Sequence, residues 1–286
     1  MVSGAEGRVS LSQPMTDQTI IRKRPSIVTT YTPSLLNSLA REDQRSSLGI
    51  TPDALPFRGV DVWNAYEFTW LNSRGKPEVG LARFEIPASS THIPESKSLK
   101  LYLGSYAQTR FSHRSEVIST LESDLTLAIR APASVELLAP EHVQNEGVGT
   151  FGGQSLDVHD IEIEDFFWDP GCLEVESDVI VRETLHTHLF RSVCPMTGQP
   201  DTASVMIQYN GRSINHAGLL QYLVSYREHA EYSEQIVERI FVDILNRCTP
   251  DRLTVQARYN RRGGIDINPY RSHDDGYPQE IRLWRQ

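Results

Sequence analysis

The sequence predicts an α+β fold of two similar units, each running β-β-α-α-β, with antiparallel sheets and paired helices. Three observations carry this. Two aromatic and β-branched runs are joined by NSRGKP, a turn-forming stretch. Val117, Leu121, Leu125 and Ile129 are spaced by four, the stripe of an amphipathic helix. The same order of strands and helices then returns in the second half, as a repeat of pattern rather than of letters.

Taken along the chain, residues 1–50 are polar and rich in Ser, Thr and Pro, and read as an irregular leader with one helical patch at Ser34 to Arg41. Residues 61–71 (DVWNAYEFTWL) and 78–86 (EVGLARFEI) form the expected hairpin. Lys97 to Gln108 is short and mixed and opens a helical region; Arg114 to Ile129 is the striped helix, and a strand at 133–138 closes the first unit, residues 51–150. The stretch 140–160, with Gly147, Gly149, Gly152 and Gly153, reads as a linker. The second unit, 151–286, has expected strands at 178–189 and 203–209, helices at 215–227 and 231–247, and a strand at 252–259.

Composition excludes several classes. Of 286 residues, 39% are hydrophobic and 23% charged, and no apolar run approaches the roughly 20 residues that span a bilayer, so no membrane role is expected. The start, MVSGAEGRVSLSQPMTDQ, lacks the cationic and apolar segments of a secretory signal, which points to the cytoplasm. Cys172, Cys194 and Cys248 are odd in number and far apart, arguing against disulfides and a structural zinc site. The formal charge of −9 disfavours direct nucleic-acid binding.

Three stretches are candidates for chemistry. SVCPMTGQPD (192–201) places Cys194 in a loop between two strands, where reactive groups are commonly held, with Asp201 near enough to fold back; a buried structural cysteine is the alternative. In Pro94-Glu95-Ser96-Lys97, Ser96 could be a helix cap and Lys97 and Lys100 a solvated face. Arg261-Arg262-Gly263-Gly264 is a basic, glycine-permissive turn that could hold a phosphate or be an ordinary surface turn. No G-x-G-x-x-G opens a helix, so a Rossmann cofactor site is not expected.

Together, ESKSLKLYL at 95–103, SVCPMTGQPD at 192–201, EYSEQIVERIF at 231–241 and RRGGIDINP at 261–269 resemble the long, two-unit form of NADPH-dependent 7-cyano-7-deazaguanine reductase, over about residues 45 to 272. The resemblance implies tandem tunnelling-fold units of the GTP cyclohydrolase I superfamily, a homodimer, and reduction of a nitrile to an amine in queuosine biosynthesis. It implies Cys194 as the nucleophile forming a covalent thioimide and Asp201 as the proton donor. Pro94, Glu95, Ser96, Ser233 and Glu234 would bind the deazapurine, the two glutamates accepting from its N–H and NH₂ edge. Ser96, Lys97, Arg262 and Gly263 would bind NADPH, two of which are consumed per turnover, and no metal is required.

One position departs from the family, which has His where this chain has Ser233; a hydroxyl cannot act as a cation near neutral pH. His229, one helical turn earlier, is a candidate substitute. The departure motivates the alternative of a weakened or inactive ligand-binding homologue. A zinc-dependent hydrolase on the same fold, using His186, His188 and Glu183, is a further alternative.

Overall fold

A computed structural model describes residues 27–286 apart from residue 146. The leader reading of residues 1–26 therefore lies outside the described residues. A 3₁₀ turn at Pro33–Leu35 precedes β1 (Ser38–Ala40) and α1 (Glu42–Ser46). The first hairpin is β2 (Arg58–Asn72) and β3 (Pro77–Pro87), followed by β4 (His92–Pro94), α2 (Ser96–Gly104) with a 3₁₀ extension over Ser105–Gln108, β5 (Arg110–Phe111), α3 (Arg114–Ile129) and β6 (Ser134–Leu138). Next come α4 (Pro140–Asn145) and β7 (Gln154–Ser155), then the long hairpin β8 (Val175–Val193) and β9 (Pro200–Ile214). The chain continues with α5 (His216–Val224), a 3₁₀ extension over Ser225–Glu228, α6 (Ser233–Cys248), β10 (Arg252–Tyr259) and β11 (Ile265–Ser272). This is an α+β architecture in which antiparallel pairing dominates.

Local chemistry explains the first unit. The Asn72 side chain accepts hydrogen bonds from the Arg74 and Lys76 amides, and Gly75 takes φ +83°, so the predicted turn closes the hairpin. The α3 stripe, Val117, Leu121, Leu125 and Ile129, is fully buried, each side chain contributing about 1.5–3 kcal/mol of burial. These residues pack with Trp63, Phe84 and Ile86 of the sheet.

The expected repeat is present and is written in letters as well as pattern. Tyr102-Leu103-x-Ser105-Tyr106 recurs as Tyr222-Leu223-x-Ser225-Tyr226. In the first copy the Tyr102 and Tyr106 hydroxyls lie 2.6 Å apart and Tyr102 donates to Asp124 at 2.6 Å; in the second the corresponding distances are 2.7 Å for Tyr222 and Tyr226 and 2.6 Å to Asp243. Both 16-residue helices, α3 and α6, end on a left-handed non-glycine residue, Arg130 and Thr249. The reading of the repeat as pattern alone is corrected: the shared letters are the few that cap and link the helix pair.

One nine-stranded sheet runs β6-β3-β2-β11-β10-β9-β8-β7, with β5 beside β2. The strand order last, second, first recurs in each half, and β11 joins them, pairing with β2 from Ile265↔Ala65 to Ser272↔Arg58. Sequence reading ended the strands at 259 and took the following residues for a turn; β11 alternates polar and apolar residues only over Ile265–Asn268 before Pro269, a weak strand signal. Two further expectations are corrected. Ser34 to Arg41 is not one helix: only Ser34 and Leu35 lie in the 3₁₀ turn, and Ser38–Ala40 form β1, which pairs with β4. Residues 140–160 are more than a linker, since α4 and β7 lie within them.

Candidate active site

The two halves meet at one cleft. Pro94, Ser96 and Lys100 come from the β4–α2 corner, Cys194 and Asp201 from the β8–β9 loop, Tyr232, Ser233 and Glu234 from the start of α6, and Tyr259, Asn260 and Arg262 from the turn into β11. Trp63, Ile93, Ile265 and Ile267 supply apolar wall. Of the residues singled out in the sequence, the cleft unites Pro94, Ser96, Cys194, Asp201, Ser233, Glu234 and Arg262.

Cys194 sits in a tight turn: its amide donates to the Gln199 carbonyl and its carbonyl accepts from Gly198, both at 2.9 Å, with Gly198 at φ +67°. The side chain is 6% exposed, yet it is not an inert core thiol. Burial pushes its pKa up, but hydrogen bonds from the Arg262 guanidinium, the Thr197 hydroxyl and the Met196 and Thr197 amides outweigh this and hold it below the ordinary thiol value. Arg262 also bonds the Thr197 hydroxyl at 3.1 Å and the Gln199 side chain at 3.0 Å, and pairs with Asp201 at 3.2 Å. One guanidinium thus ties the thiol to the carboxyl. Asp201 is nevertheless raised, because burial outweighs the charges of Arg262 and Lys100. A thiol whose pKa is lowered and a carboxyl whose pKa is raised thus face one cleft.

Glu234 is 2% exposed, and its Oε1 has no hydrogen-bond partner among the described residues. Burial, and then the Asp61 carboxylate, push its pKa up to about 8, against the opposing charges of Arg41 and Arg271. Behind it lies a buried ion network. Arg41 reaches Asp61 at 2.5 Å and Glu238 at 3.5 Å, Arg45 reaches Glu238 at 2.7 Å, and Arg271 joins Asp61 at 2.7 Å and Glu238 at 2.8 Å. Burial alone would raise Asp61 and Glu238, but the guanidinium groups hold both below the ordinary carboxylate range. The Trp63 indole Nε1 is a second buried polar atom without a partner on a residue of the cleft. A buried acceptor and a buried donor left open at one cleft suit a polar, planar ligand better than an apolar one.

Glu95, Lys97 and Gly263 are placed beside this cleft rather than lining it. Glu95 caps α2, its carboxylate accepting from the Lys97 amide at 2.9 Å and the Ser98 amide at 2.7 Å; Lys97 is exposed. Gly263 and Gly264, at φ +64° and +80°, line a neighbouring cleft with Glu67 and Leu103. The two clefts share Lys100 and Ile265. His229 does not line the site: α6 begins at Ser233, so the two are not on one helix face, and the His229 ring pairs with Glu231 at 3.1 Å. His186 bonds the Gly152 carbonyl, His188 the Ser204 hydroxyl, and Glu183 faces His216 and Tyr209. Among the described residues no group of three His, Cys, Asp or Glu is placed to hold a metal.

Sequence reading missed Trp63, Lys100, Tyr232 and Tyr259. Lys100 had been weighed only as a solvated residue; it is half-buried, with a pKa lowered by burial and by Arg262, against the charges of Asp201, Cys194 and Glu95. Tyr232 lies within the stretch 231–241 already singled out, and Tyr259 just precedes the basic turn, and that placement is the available signal.

Comparison with known proteins bears on this site. Residues 27–137 match the family described as nitrile reductase, 7-cyano-7-deazaguanine-reductase N-term, and residues 200–277 match the QueF-like protein family. A protein of Chromobacterium violaceum named NADPH-dependent 7-cyano-7-deazaguanine reductase is 46% identical over 90% of this chain and 92% of its own length. Proteins of the same name from Hydrogenovibrio crunogenus (44% identical over 94% of this chain and 97% of its own) and Burkholderia lata (49% over 90% and 94%) are equally similar in extent. On this coverage and identity, the chain belongs to the NADPH-dependent 7-cyano-7-deazaguanine reductase family.

Proposed function

We propose that this protein reduces the nitrile of 7-cyano-7-deazaguanine to the primary amine, 7-aminomethyl-7-deazaguanine, with two NADPH, in tRNA queuosine biosynthesis. The observation that carries the reading is the meeting of Cys194 and Asp201 through Arg262 in one cleft, with their proton affinities moved in opposite directions. The Cys194 sulfur adds to the nitrile carbon, forming a C–S bond while Asp201 gives a proton to nitrogen; the product is a thioimide. A first hydride adds to its carbon, the C–S bond then breaks to return the thiolate, and the resulting imine accepts a second hydride and a proton. Two hydrides and two protons account for the four hydrogens gained.

Glu234 accepts from the N–H and NH₂ edge of the ring, a role supported by its open, buried Oε1. Glu95, though capping α2, keeps free lone pairs at the same corner, and Pro94, Ser96 and Ser233 close the walls around the ring. The residues beside the cleft fit NADPH, which supplies hydride. Gly263 and Gly264 bend a turn that offers backbone amides, Lys100 lies beside it, and the exposed Lys97 and Arg261 are the further cations the reading would recruit. Ser96 and Arg262 line the first cleft, and Gly263, next to Arg262 in the chain, lines the second, so this reading assigns Ser96, Lys97 and Arg262 to NADPH together with Gly263. No step calls for a metal.

We further read the chain as two tunnelling-fold units, 51–150 and 151–286, with residues 1–50 preceding them, acting as a cytoplasmic homodimer on a small molecule, with no nucleic acid bound directly. No helix among the described residues is long and apolar enough to cross a membrane. The test is turnover of the nitrile substrate by purified protein: two NADPH oxidised per amine formed supports the reading, and one, or none, contradicts it.

A further inference from the structure

We propose that Arg239 is a positioning residue for the reaction: by clamping Glu231 it fixes the link 229–232, to which both the Cys194 turn and the start of α6 are tied. This rests on the reading of Cys194 and Glu234 as groups that meet the nitrile substrate.

Two other helices are started by a side chain that accepts from first-turn amides, α2 by Glu95 and α5 by Asn215. The helix α6, which presents Ser233 and Glu234 to the cleft, has no such cap, since the Tyr232 side chain bonds none of its amides. Its entry is held from outside instead. Glu231 accepts from Arg239 Nε at 3.0 Å and from Arg239 Nη2, a two-pronged pairing, and from Gln235 Nε2 at 3.1 Å, while His229 Nε2 lies 3.1 Å from its Oε2. Gln235 and Arg239, four and eight residues on, are 9% and 8% exposed. The Arg239 guanidinium also rests over the Trp168 ring at 4.8 Å, and Trp168 Nε1 donates to Asp243 at 3.2 Å, so an aromatic face braces the clamp.

The same link carries the nucleophile loop. Val193 pairs with Ala230 in a parallel bridge, its amide donating to the His229 carbonyl at 2.9 Å, and Cys194 is the next residue. One side-chain cluster thus sets two backbone segments that reach the cleft separately, Cys194 from the β8–β9 loop and residues 232–234 from α6. Arg239 is not among the residues that line the cleft, so it acts through the backbone it holds. A misplacement of about 1 Å between reacting groups costs about a hundredfold in rate, which makes such a clamp part of the reaction as well as of the fold.

The test compares the parent with Arg239→Met, which keeps a stem over Trp168 and loses the fork, with Glu231→Gln, and with the two combined. Amide hydrogen exchange is read by NMR at Val193 and, as a control outside the link, at Leu219, whose amide donates to the Asn215 carbonyl at 2.9 Å in α5. Turnover is read with 7-cyano-7-deazaguanine and NADPH. Arg239→Met should speed Val193 exchange about tenfold or more and leave Leu219 near the parent. It should lower kcat about 10- to 100-fold yet leave KM for NADPH near the parent, because the turn at Gly263 and Gly264 is anchored on β2 through the Tyr66 amide and not on this link. Glu231→Gln should move the same quantities the same way by less, and the combined variant should match Arg239→Met alone, since both changes cut one pairing. Val193 exchange that is unmoved, or that moves together with Leu219, overturns the proposal; so do parental kcat with faster Val193 exchange, and losses that add in the combined variant. If Arg239→Met does not fold, Glu231→Gln decides on the same readings. A parent that leaves the nitrile unreduced contradicts the reading of the site and takes this proposal with it, whereas a parent that reduces it, with unmoved exchange in the variants, contradicts the clamp alone.

Discussion

In one cleft, the buried Cys194 has its pKa lowered, against the effect of burial, by hydrogen bonds from its neighbours, while the buried Glu234 has its pKa raised by burial and by Asp61. Cys194 is held toward thiolate by Arg262 and the turn around it, so Arg262→Ala should shift the pH dependence of Cys194 alkylation by iodoacetamide upward, with slower reaction at pH 7. Glu234 is the reverse case. Its native value of about 8 lies above its ordinary 4.5, so the native state binds more protons than the unfolded state in that window, and stability falls as pH rises through it. Glu234→Gln, which cannot ionise, should therefore gain thermal stability over the parent at pH 8 and show little gain at pH 4, below the ordinary glutamate value; a pH-independent difference would show that the Glu234 charge is not the cause. None of this was legible in the sequence. Cys194 stood in a loop, and Glu234 in a helix rich in glutamate; burial, with Asp61 for Glu234 and with hydrogen bonds from Arg262, Thr197 and Met196 for Cys194, gives each its character.

The elements follow from local signals where those signals are long. The striped helix Arg114–Ile129 and the strand Arg252–Tyr259 match the sequence expectation to the residue, because a four-residue apolar spacing and the alternation of Leu253, Val255, Ala257 and Tyr259 are strong over that length. Short pieces were not legible: β1 needs its partner β4, and β11 needs β2, and neither partner is near in sequence. The helix pairs are held by matching polar triads, so Asp124→Ala and Asp243→Ala should each cost about 1–3 kcal/mol in urea unfolding, since each leaves buried tyrosine hydroxyls without an acceptor. The β2–β11 seam has a tighter requirement. A Cβ on Gly59 would lie 2.0 Å from the Tyr270 carbonyl oxygen, so Gly59→Ala should be destabilised by about 3 kcal/mol or more, and a variant of parental stability would show the seam to be looser than drawn.

At the scale of the whole molecule, the sheet is continuous through β11, and the site is assembled from both sides of that seam: Pro94, Ser96 and Lys100 from the first half, Cys194, Asp201 and Glu234 from the second. Residues 41 and 45, within the stretch read from sequence as a leader, reach into the core behind α6. The repeat was legible as order; the convergence of the candidate site residues between its copies was not, because it depends on strand pairing across some 200 residues. Ser233 stands at the mouth of α6 near the Tyr259 hydroxyl, with no imidazole beside it in the cleft. Ser233→His should raise the turnover rate if a cation at that position assists the proton transfers, and an unchanged rate would show that Asp201 suffices. The most direct test of the account is to incubate the protein with 7-cyano-7-deazaguanine without NADPH and determine the mass of the intact chain and of its peptides. The account predicts a gain of one substrate mass, located on Cys194, lost on addition of NADPH and absent in Cys194→Ala. An unmodified Cys194, in a protein that nevertheless reduces the nitrile, would contradict it.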